Sequence, residues 1–91
     1  MSGSLHIFRR DVVNGSPFYQ LNYNLAGRSF AIVLEPKDAD HFLGEAAALP
    51  DELIAQALDE VDKTGRVHLL DVEIPLGEAV GMGMTETPSD F

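Results

Sequence analysis

Cysteine is absent from this 91-residue chain, and so is tryptophan. Without thiols there is no disulfide framework, no thiolate zinc site and no sulfur nucleophile, and the redox compartment stays open. Long apolar runs are also lacking. No stretch approaches the ~20 residues of a membrane span, and the opening MSGSLHIFRRDVV has no signal-peptide core. The expectation is therefore a soluble, cytoplasmic protein with no membrane partner. Basic residues are scarce, six Lys and Arg against fifteen Asp and Glu, for a net charge of −9.

The charge is unevenly placed. Residues 1–34 carry three arginines against one carboxylate, a balance of +2, whereas residues 35–91 carry three cations against fourteen carboxylates, a balance of −11. Nucleic-acid affinity rests mostly on neutralising phosphates, so this field excludes DNA and RNA as expected partners. Solubility alone accounts for much of such acidity.

Hydrophobic residues make up 45% of the chain, enough for one core at a length near the lower end of what folds alone. The clearest pattern is SPFYQLNYNL. Tyr19, Leu21, Tyr23 and Leu25 alternate with Gln20, Asn22 and Asn24, which predicts a half-buried strand. A base-stacking sheet needs outward aromatics flanked by cations. Tyr19 and Tyr23 instead share a face with leucines, so they are expected in the core with their hydroxyls at its rim. Leu5–Val13 and Phe30–Glu35 read as strands on either side, with turns at Asn14-Gly15 and at Ala26–Ser29.

At Pro36 the period changes. Phe42, Leu43, Ala46, Ala47 and Leu49 form one stripe of a helix that Pro50 ends. A second helix follows from Pro50, with Leu53, Ile54, Ala57, Leu58 and Val61 on one side and Gly65 as its C-cap. Arg66–Leu76 then resumes period two, with His68, Leu70, Val72 and Ile74 on one face. The order β-β-β-α-α-β predicts an α+β domain, a four-stranded, mostly antiparallel sheet with two short helices on one face. Residues 1–76 form the expected domain, and residues 77–91, rich in Gly, Thr, Ser and Pro, form an expected flexible tail.

Chemistry-bearing groupings are few. Asp38, His41 and Glu45 share one side of the first helix at i, i+3 and i+7, but three exposed ligands make a poor closed site, so no metal is expected. His68 and Asp71 fall on opposite faces of a regular strand, which leaves His68 as a satisfied, partly buried histidine. His6 has no companion in sequence. No serine sits in a nucleophile motif, and LGEAVGMGM is not followed by the strand-turn-helix context of a phosphate loop. Neither a cofactor nor a catalytic residue is expected.

Two interaction features remain. The outer side of the second helix is densely acidic, and Glu52, Asp59, Glu60 and Asp62 are its candidate partner-binding residues. The ending Ser89-Asp90-Phe91 suits carboxylate capture by strand addition. The leading expectation is a small acidic, non-enzymatic interaction domain for a protein partner, basic in character, with a homodimer through a sheet edge as the commonest form of such binding. Two alternatives stay open. One is a subunit of a small-molecule-binding or enzymatic homo-oligomer, using His41, His68 and nearby carboxylates. The other is a nucleic-acid-mimicking inhibitor of a basic protein.

Overall fold

A computed structural model describes residues 2–11 and 17–87. The order is β1 (Gly3–Asp11), β2 (Pro17–Leu25), β3 (Arg28–Leu34), α1 (Pro36–Glu45), α2 (Asp51–Thr64), β4 (Arg66–Val72), α3 (Leu76–Gly81) and β5 (Thr85–Thr87). The strands form one antiparallel sheet in the order β4-β1-β2-β3-β5. The α+β class agrees with the expectation, but the sheet has five strands and the helices number three among the described residues.

The alternation of β2 decides the layering. Tyr19, Leu21 and Tyr23 point to the helical side, where they meet Leu5 and Ile7 of β1 and Phe30 and Ile32 of β3 in one core with Phe42, Leu43, Ile54 and Val61. β2 and β3 are joined by a two-residue turn in which Ala26 (φ 52°) and Gly27 (φ 81°) are both left-handed. That geometry matches the twist of the flanking strands. Gly3 is required where β1 crosses β2, because a side chain there would run into the Asn24 carbonyl oxygen.

The helices form for the reasons their sequences suggest. Pro36 opens α1 with Asp38 in its first turn. In α2, Asp51 and Glu52 lie at the N-terminus and Lys63 at the C-terminus, and Gly65 (φ 91°) caps the helix, its N–H donating to the Val61 carbonyl. Pro50 does not end α1. The helix stops at Glu45, and the chain turns through Ala46–Ala48, with Ala48 at φ 53°.

Two corrections matter for function. First, the segment expected as a flexible tail contains α3 and β5. Ala79 and Met84 are buried in the common core, and Thr85–Thr87 pairs with Ser29–Ala31 of β3. Second, β4 does not keep one phase. The register runs from Leu5↔Leu69 to Gly3↔Val72, so β4 holds an extra residue there, and Asp71 (φ 56°) takes the left-handed conformation of a bulge. Val67 and Leu69 therefore face the helices before the bulge, and Val72 and Ile74 after it. His68 is exposed on the other side, not partly buried. The Tyr23 hydroxyl holds this crossing by donating to the Val72 carbonyl at 2.7 Å, so it is a core group and not a rim group.

The turn expected at Asn14-Gly15 and the ending Ser89-Asp90-Phe91 lie outside the described residues. No described helix is long and apolar enough to cross a membrane.

Candidate functional site

The helices all pack on one side of the sheet, so the domain presents two unlike surfaces. On the helical side, α2 turns Glu52, Asp59 and Glu60 to solvent. Asp59 pairs with Lys63 one turn on, at 3.0 Å. Asp62 is different. Its carboxylate accepts from the Tyr19 hydroxyl at 2.6 Å and from Arg9 at 3.1 Å, which ties α2 to β1 and β2. Burial, and then this hydrogen bond, pushes the Tyr19 phenol up to about 12. Of the four candidate residues, Glu52 and Glu60 stand exposed, Asp59 is exposed but paired with Lys63, and Asp62 is occupied with holding the fold.

Acidic groups continue beyond α2. A groove between the end of α1 and the chain after β4 has Ala47, Leu49 and Ile74 in its walls and Glu45, Glu73 and Glu78 around it. Asp38 and His41 stand exposed on α1. Among the described residues, no three His, Asp or Glu side chains gather where they could hold a metal ion. Apart from the two tyrosines, no polar or charged side chain is buried among them either.

The opposite face of the sheet carries a different chemistry. Its outward positions are Ser4, His6, Phe8 and Arg10 on β1, Phe18, Gln20, Asn22 and Asn24 on β2, Ala31 and Val33 on β3, and Arg66, His68 and Leu70 on β4. These strand positions include no carboxylate. Side chains run across the face in contact. Arg10 lies over Phe8 and donates to Gln20, and Gln20 donates to Asn22. His6 meets His68 edge-on, with ring centroids 3.9 Å apart. Burial, then His68 and Arg66, lowers the His6 imidazole below its ordinary value.

The His6–His68 pair was missed by sequence reading, which gave His6 no companion and took His68 for a satisfied, partly buried histidine. They are 62 positions apart and meet only because β4 pairs with β1. The face does hold aromatics beside arginines, but they come from β1, β4 and the start of β2. Tyr19 and Tyr23 are on the core side.

The chain shows no match to a protein-family model, to a curated protein or to a solved structure.

Proposed function

We propose that the protein is a small non-enzymatic interaction domain whose helical side engages a basic protein surface. The reading rests on one observation: the outer side of α2 presents Glu52, Asp59 and Glu60 to solvent, with Lys63 as the sole cation of that helix. The apolar side of α2 is committed to the core through Ile54, Ala57 and Val61, so contacts made outward use carboxylates. The neighbouring groove, with an apolar floor and a carboxylate rim, suits the aliphatic stem and charged head of a lysine or arginine. Contacts of this kind steer association and weaken with salt.

The test is a triple variant, Glu52→Lys, Asp59→Lys and Glu60→Lys. Each change is at the surface and costs within about 0.5 kcal/mol, so the fold is retained. Proteins captured from a cell lysate by the wild type at low salt, and released as salt rises, are expected to be lost with the variant. They are also expected to associate more slowly with it when purified. Equal capture and equal rates would show that the α2 surface is only solvated.

A further inference from the structure

The outer edge of β4 is open. β4 ends the strand order, and no described strand lies beyond it. Which of its backbone groups are free follows from the ladder. The Arg9 N–H donates to the Gly65 carbonyl at 2.9 Å, and Ile7↔Val67 and Leu5↔Leu69 continue that register at every second residue. In an antiparallel pair, residues alternate between those bonded to the neighbour and those facing away. Val67 and Leu69 therefore spend their N–H and C=O groups on β1, and Gly65 its carbonyl, while the Gly65 N–H caps α2. Arg66, His68 and Leu70 aim theirs off the sheet, where the Arg66 carbonyl accepts from the Thr64 hydroxyl at 2.8 Å and keeps its second lone pair for a strand partner.

Edges of this kind are normally blunted by proline, lysine or a short length. Charged side chains and bulges protect edges too; here Arg66 stands only at the start of the strand and the bulge at Asp71 only after residue 70, which leaves residues 67–70 without either. The side chains along this edge are also under-covered. Val67 and Leu69 face the helices yet stay partly exposed, unlike Leu5, Ile7 and Leu21 at 0%. They line an open groove with Leu53, Gln56, Ala57 and Glu60 of α2. On the other face Leu70 is 70% exposed.

We infer that β4 pairs antiparallel with β4 of a second copy, about a two-fold axis at His68, so that the two sheets continue as one. The segment is self-complementary in that register. Arg66 of each copy faces Leu70 of the other, and His68 faces its own equivalent, each facing pair exchanging two N–H···O bonds. On the helical side, Val67 of one copy meets Leu69 of the other, filling the open groove with apolar groups. The arginine stem covers the exposed Leu70. No carboxylate lies within residues 66–70 to oppose the pairing. This inference is independent of the basic-partner reading.

The interface is small, and its Kd is expected on the order of tens of micromolar. Sedimentation of the wild type over a concentration series is expected to move from 9.9 kDa toward twice that mass. Salt is expected to tighten the dimer, since each copy carries −9, whereas salt weakens the contact with a basic partner. Leu70→Lys sets lysine against Arg66 twice over and is expected to weaken pairing about tenfold. Adding Arg66→Glu places opposite charges at those two contacts and is expected to restore most of the loss. A wild type that stays monomeric up to about 1 mM, well above the Kd expected for so small an interface, would overturn the inference, as would Leu70→Lys dimerising unchanged. Failure of the double variant to recover would rule out the register centred on His68. Glu60 borders both surfaces, so the readings are separated by the Leu70 and Arg66 variants on one side and by Glu52→Lys with Asp59→Lys, which leave the β4 edge untouched, on the other.

Discussion

Tyr19 and Tyr23 are the same residue type, four positions apart, on the same strand face, and they do different work. Tyr23 donates to a backbone carbonyl in the core and fixes the crossing of β4. Tyr19 donates to the Asp62 carboxylate and links α2 to the sheet. Replacing Tyr19 by Phe is expected to cost about 1 kcal/mol, the scale of a hydrogen bond to a charged acceptor that is partly solvated, measured by urea unfolding at pH 7. The alkaline limb gives a second readout. The phenol binds its proton more tightly folded, at about 12, than unfolded, at its ordinary 10.0. Its contribution is therefore complete below pH 10 and is lost as pH rises toward 12. Tyr19→Phe is expected to flatten that loss. A parallel decline in both proteins would show that the hydroxyl contributes nothing there.

The elements divide by how local their causes are. The β2–β3 hairpin, α2 and its glycine cap could be read from spacing and turn chemistry, because neighbouring residues dictate them. The hairpin even shows where the sequence is not optimal. Ala26 sits at φ 52°, a conformation that Asn tolerates and a β-carbon without a polar group does not. Ala26→Asn is expected to raise stability by roughly 0.5–1 kcal/mol, seen as a higher urea midpoint with unchanged slope; a lower midpoint would count against the turn geometry. What escaped the sequence is non-local. The left-handed Asp71 is set by the ladder with β1 and by the Tyr23 hydroxyl, and it inverts the apparent faces of β4. β5 is three residues, Thr-Glu-Thr, with no apolar signal, placed by pairing with β3. The acidic side of α2 was legible down to its residues. That Asp62 is tied down was not, since its partners lie on two distant strands.

At the scale of the whole molecule, the acidic excess is sorted to one side. Among the described side chains the carboxylates stand on the helices and the N-cap of α1, at the β4 bulge (Asp71), on the chain after β4 and at Glu86 of β5, while the outward strand positions of the other face carry Arg10, Arg66 and two imidazoles. Acid therefore acts on the fold from both sides in sequence. Burial beside His68 and Arg66 holds the His6 pKa below its ordinary 6.5, so its contribution is complete above that pH and declines as pH falls through the folded value. The Arg28 guanidinium, bonded to Glu86 at 2.8 and 2.9 Å, lowers that carboxyl from 4.5, so a second loss follows at lower pH in the same direction. His6→Asn is expected to remove the first step, the one that begins as pH falls below 6.5, and leave the second. A thermal midpoint with the same pH profile in both proteins would refute the assignment. Charge sorted by face has a further consequence, since it gives the tumbling domain a permanent electric dipole across the thickness of its sheet. Within a Debye length of a charged surface, the torque on that dipole acts before any side chain touches. A basic surface would be met helices first and an anionic one sheet first, so the sign of the approaching surface selects the face that arrives.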